Sequence, residues 1–93
     1  MNKTELIKSI SKSTEVDEDT TRKVINGMVD TIKEALWIGN NVAIKDFIHF
    51  KLEVKREMTI SNFGNPIVIP KHFVVKITIP GNFKNKIKSK IVH

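Results

Sequence analysis

At Val42 the hydrophobic pattern of this chain changes period, and that change restricts the fold more than any other feature of the sequence. Downstream, Val42, Ile44, Ile48, Phe50, Leu52 and Val54 share one parity, while Ala43, Lys45, His49, Lys51, Glu53 and Lys55 take the other. Side chains of a strand point alternately to its two faces, so this run reads as β-structure with one apolar face. Ile67, Ile69, Phe73, Val75, Ile77 and Ile79 repeat the alternation, interrupted by Lys71, until Pro80 and Gly81 break it. Upstream of Val42 the period is helical. Ile25, Met28, Val29, Ile32 and Leu36 recur at i, i+3, i+4, i+7 and i+11, widened by Val24 and Ala35, with Asp17 as the expected cap and Gly39 as the stop. Asn2 with Glu5 three residues later forms a capping box ahead of Leu6, Ile7 and Ile10, which predicts a first helix near 3 to 13.

The two strand runs flank "ISNFGNPIVIP", residues 60 to 70. Asn62, Gly64 and Asn65 tolerate the positive φ angles of a tight loop, so this stretch reads as a hairpin tip. Roughly ten residues on each side of it, at about 3.3 Å per residue, reach on the order of 30 Å. That exceeds what so small a domain can cover, and part of the hairpin should project as an arm. The closing "NFKNKIKSKIVH" places Phe83, Ile87 and Ile91 four apart among Lys84, Lys86, Lys88 and Lys90, which predicts a short basic helix. The order is helix, helix, strand, long hairpin, strand, helix, an α+β chain opening on an αα-hairpin. No internal repeat and no linker divides it.

Charge is informative when split. Residues 1–50 carry Lys or Arg at 3, 8, 12, 22, 23, 33 and 45 against Asp or Glu at 5, 15, 17, 18, 19, 30, 34 and 46, a balance of −1, whereas residues 51–93 carry +7. A basic half of this kind suits a polyanion, and nucleic acid is the usual one; a solvated lysine-rich surface is the plainer alternative. With no cysteine, disulfides, thiolate metal sites and cysteine nucleophiles are excluded. His49, His72 and His93 show no ligand spacing, so no metal or other cofactor is expected. Paired carboxylates, a Ser/His/Asp constellation and a glycine-rich phosphate loop are all missing from the pattern, so an enzyme is not expected. Charges interrupt the N-terminal stretch where a secretory signal needs an apolar run, and no segment of about 18 apolar residues occurs. The expectation is a soluble, intracellular chain with no membrane partner.

These residues bring a family into view. Over essentially its full length the chain resembles the bacterial histone-like DNA-binding proteins, the HU and integration host factor family. "MNKTELI" opens it as many members open, "EALWIGNNVAI" is similar to the family's helix-end glycine and first strand, "DFIHF" occupies the place of "GFGTF", and "PGNFKNKIK" is similar to "PGKALKD". The resemblance implies one histone-like domain over 1–93: a helical dimerisation part, 1–40; a three-stranded antiparallel sheet with a protruding β-ribbon arm, 41–80; and a basic C-terminal helix, 82–93. It implies an intertwined homodimer, or a heterodimer with a related subunit. The arms would wrap the minor groove of double-stranded DNA, and a proline at each tip would kink it. The protein would sit on the nucleoid, or on the DNA of a virus in its host.

On this resemblance, Gly64, Asn65 and Pro66 fit the family's arm tip "RNPxTG", which makes Pro66 the intercalating wedge with Phe63 as its rival. Lys3, Lys45, Lys55, Arg56, Asn65, Pro66, Lys71, Lys76, Lys84 and Lys86 become the DNA-binding candidates. Ile25, Met28, Val29, Ile32, Phe47 and Phe50 become the dimer interface; the two phenylalanines read as core because they sit inside the alternating strand, and Trp37 reads as core edge. Several positions depart from the family pattern. Gly64 stands where an arginine is usual, Asn82 where a lysine is, and Asp46 and Ile48 replace two glycines, which puts an acid near phosphate. Those last two changes motivate a second reading, an interaction protein that pairs with a host histone-like subunit or with a replication or transcription protein.

Overall fold

The computed structural model describes residues 1–62 and 64–90, leaving aside the side chain of Asn62. Phe63 therefore lies outside the described residues. The chain divides into two compact units, Met1–Ala35 and Leu36–His93.

The first unit holds α1 (Lys3–Thr14) and most of α2 (Glu18–Trp37). Asn2 caps α1 as expected, its Oδ1 accepting the Glu5 N–H at 2.9 Å, and α1 runs one residue beyond the expected end to a left-handed Glu15 at φ 60°. Asp17 caps α2, with Oδ2 accepting the Thr20 N–H at 2.9 Å and Oδ1 accepting the Thr20 hydroxyl at 2.7 Å. These two bonds hold the Asp17 carboxyl below its ordinary pKa, the backbone one first. Thr21 is buried at the turn and donates its hydroxyl to the Asp17 carbonyl at 2.9 Å. Ile7 is the counterpart of Thr21 on α1 and the one buried apolar side chain among the described residues, 4% exposed.

In the second unit, Gly39 takes φ +97° and donates its N–H to the Leu36 carbonyl, which stops α2 where expected. Strands β1 (Val42–Ile44), β2 (Ile48–Lys55) and β5 (His72–Thr78) form an antiparallel sheet in the order β1-β2-β5. The Asn41 side-chain oxygen accepts the Leu52 N–H at 2.9 Å and steadies the β1 edge. Beyond β2 the hairpin becomes a separate two-stranded ribbon of β3 (Met58–Asn62) and β4 (Asn65–Ile69). The long hairpin is thus paired in two ladders, the outer one forming the arm that its length predicts. Lys55↔His72 ends the first and Met58↔Ile69 begins the second in the same register, so Arg56 stands abreast of Lys71 and Glu57 abreast of Pro70 where the ladder lapses.

Two expectations are corrected. Phe47 lies outside the alternating strand, in the turn of Lys45, Asp46 and Phe47 that joins Ile44 to its partner Ile48; its N–H donates to the Ile44 carbonyl at 3.1 Å and its ring is 55% exposed. Trp37, expected at a core edge, is 89% exposed. The closing helix α3 (Gly81–Lys88) begins one residue earlier than expected and ends well before 93; Ser89 is its C-cap, with its N–H on the Asn85 carbonyl at 3.0 Å.

Candidate nucleic-acid interface

Register assigns the faces of the sheet. Phe50↔Ile77, Leu52↔Val75 and Val54↔Phe73 put the apolar residues of β2 and β5 on one side, as alternation predicts. The other side carries His49↔Thr78, Lys51↔Lys76, Glu53↔Val74 and Lys55↔His72. Lys51 and Lys76 are thus directly opposite. Like charges in that relation destabilise an antiparallel pair, and the partial relief is Glu53, whose Oε1 lies 4.0 Å from Lys76 Nζ. That contact is open to solvent on both sides and contributes little. A sheet face built this way has a standing preference for an anion laid across it. Arg56 and Lys71 stand abreast just beyond the end of the ladder, at the base of the arm, with the parity of the apolar face and not of the three lysines.

His72 Nδ1 lies 2.9 Å from the Pro70 carbonyl oxygen, an acceptor that only a protonated Nδ1 can satisfy. That hydrogen bond pins the ring beside Lys71. Lys45 sits in the β1–β2 turn next to Asp46, whose φ of 62° falls at the third residue of a four-residue turn, where glycine or asparagine is favoured. An acid thus occupies a glycine-favouring position next to a candidate phosphate contact. Lys84 and Lys86 are exposed on α3, and Lys3 is exposed as the first residue of α1 in the other unit.

The arm is built differently from the sheet. Asn65 pairs with Asn62 and Pro66 with Ser61, so Pro66 stands one rung below the closing pair, and Gly64 in the turn takes φ +81°. Pro66 is exposed. In a hairpin closed at Asn62↔Asn65, hydrogen-bonded and open rungs alternate, and Ser61↔Pro66 falls on an open one, so Pro66 breaks no ladder bond. From Met58 to Pro70 no residue carries a charge. Met58↔Ile69 and Ile60↔Ile67 share one face of the ribbon and Thr59↔Val68 and Ser61↔Pro66 the other.

Of the DNA-binding candidates, then, one face of the sheet gathers Lys55 and Lys76, and Arg56 and Lys71 adjoin it at the base of the arm. Lys51 is the residue the sequence reading missed. Its signal was present, because Lys51 and Lys55 share a parity, but its partner across the sheet is visible only in the register. Among the described residues no cluster of His, Asp or Glu could hold a metal ion, and no helix is long and apolar enough to cross a membrane.

Comparison with known proteins adds three findings. Residues 1–88 match the family model described as bacterial DNA-binding protein. The chain is 33% identical over 90 residues to the DNA-binding protein HU of Buchnera aphidicola, covering 95% of this chain and 98% of that one, and 32% identical over 66 residues to DNA-binding protein HU 1 of Bacillus subtilis, covering 71% and 68%. In structure it resembles HU in an Anabaena HU–DNA cocrystal with a TM-score of 0.85 and 23% identity, over 97% of this chain and all of that one.

Proposed function

The chain belongs to the bacterial DNA-binding protein family, and from that premise we propose that it is an architectural protein, which binds duplex DNA as a dimer with low sequence specificity and bends it. The observation that carries this reading is the cationic face of the sheet, Lys51 against Lys76 with Lys55 further along β2, and beside it the Arg56 and Lys71 pair at the base of the arm. A row of cations on a strand face repeats at roughly 7 Å along the strand, and duplex phosphates line up against such a row without regard to sequence. Binding releases condensed counterions. Lys3, Lys45, Lys84 and Lys86 add to the same polyelectrolyte contact in this proposal, and Asn65 hydrogen-bonds in the groove. The work is binding rather than catalysis, and its place in the cell is on the chromosome or on a viral genome there.

Dimerisation follows from what one copy leaves uncovered. Ile25, Ile32 and Phe50 are half-buried, Met28 is 50% exposed and Phe73 74% exposed. A second copy, of this chain or of a related subunit, covers such faces.

The test is affinity for a random duplex over a salt series. If about six phosphates are neutralised per dimer, log K falls with log salt at a slope of roughly −5. A slope near zero means that the basic half serves another purpose. For bending, the exposed ring of Pro66 has no donor to satisfy and unstacks a base step at a cost of about a few kcal/mol, regained through the bent path. Pro66→Ala then leaves the dimer intact and reduces the bend read by energy transfer between labelled duplex ends. Normal bending by Pro66→Ala alongside lost bending by Phe63→Ala would transfer the wedge to Phe63.

A further inference from the structure

The charge-free arm separates two contributions that a basic arm would merge. Cations stop at Arg56 on one strand and resume at Lys71 on the other, and the ribbon between them offers Met58, Ile60, Ile67 and Ile69 on one face, each at least half open to solvent or nearly so except Ile69. Resting on the reading above, we propose that the arm holds to the minor groove of duplex DNA through apolar burial and without any ionic contact, and that all phosphate neutralisation belongs to residues outside it.

Three observations favour the groove over a second protein strand. The arm keeps the register of β2 and β5 and leaves them between Arg56 and Lys71, so a cation stands at the base of each of its strands. Pro66, and Pro70 abreast of Glu57, both fall on open rungs, which removes outward-pointing donors from the free edge of β4 and disfavours strand addition there. Finally, the groove is walled by deoxyribose, whose carbon faces accept apolar side chains; phosphates flank the mouth and not the floor. An uncharged ribbon is therefore compatible with the groove at any ionic strength.

The experiment measures affinity for one duplex from about 50 to 200 mM salt for the unaltered chain, an Ile60→Thr/Ile67→Thr variant and a Lys51→Gln/Lys76→Gln variant. The isoleucine variant is expected to lose about tenfold or more at every salt concentration with its slope unchanged. Its heat-capacity change on binding becomes less negative. The lysine variant is expected to flatten the slope by about 2 to 4 per dimer. A changed slope in the isoleucine variant, or no loss of affinity, overturns the inference while leaving the DNA reading intact. So does sedimentation of the DNA-free chain above the dimer that the isoleucine variant abolishes, since the ribbon would then belong to another copy. Absence of duplex binding by the unaltered chain at the lowest salt overturns the DNA reading and this inference together. Far-UV circular dichroism of each variant establishes that the fold is retained.

Discussion

Asp46 concentrates two opposed demands in one residue. Its φ of 62° suits glycine or asparagine, and its carboxylate stands beside Lys45 on a turn that the proposed duplex approaches. Asp46→Asn keeps a side chain that tolerates the left-handed region and removes the charge, so the thermal midpoint should stay where it is while affinity for DNA rises. At about 50 mM salt we expect a two- to threefold gain, shrinking as salt is raised because the Debye length shortens. Fluorescence anisotropy at two ionic strengths measures both effects; an unchanged affinity at low salt would place the turn away from the duplex. Phe47, the next residue, shows what sequence alone could not supply. It has the parity of the polar face, yet it lies beside Ile48 in a run rich in strand formers, and only the Ile44↔Ile48 pairing reveals that it belongs to a turn.

At the scale of elements, α2 carries a glycine in its middle that nothing in the chain requires. A Cβ added at Gly27 meets no atom within 4 Å, and the residue lies on the face opposite Ile25, Met28, Val29 and Ile32. Gly27→Ala should stabilise by about 0.8–1 kcal/mol per chain, read as a shift of the denaturation midpoint. Destabilisation would mean that a partner approaches this face. The start of α2 titrates. Because its two Thr20 bonds lower the folded pKa of Asp17 from 3.8, the stability it contributes is present above 3.8 and lost as pH falls through the lower folded value. The gap in thermal midpoint between the unaltered chain and Asp17→Asn should therefore hold from neutral pH to about pH 4 and narrow below it; a constant gap would assign the effect to shape rather than charge. Both helix starts, the Gly39 stop and the apolar sheet face were legible in the sequence, because caps and periodicity are local. The Lys51↔Lys76 opposition and the lapse at Arg56 and Pro70 were not. Pairing between strands depends on where the hairpin closes, and several closures were compatible with "SNFGNP".

For the whole molecule the decisive fact is that Ile7 alone is buried among the described apolar side chains. A domain of this length ordinarily buries well over half of its unfolded surface, so one copy falls short of a core. We expect no folded monomer at low micromolar concentration by sedimentation, and an unfolding midpoint that rises with protein concentration. Each tenfold increase in concentration should add about 1.4 kcal/mol of apparent stability. A midpoint independent of concentration would contradict the dimer. The same shortage of core bears on supply inside a cell. While chains are scarce, finished pairs accumulate as the square of the chain concentration, and singles open along Met28, Trp37 and Phe73 stay within reach of proteases. Halving synthesis would then remove more than half of the working protein, so gene dosage, and not affinity for DNA alone, would set how much duplex is occupied.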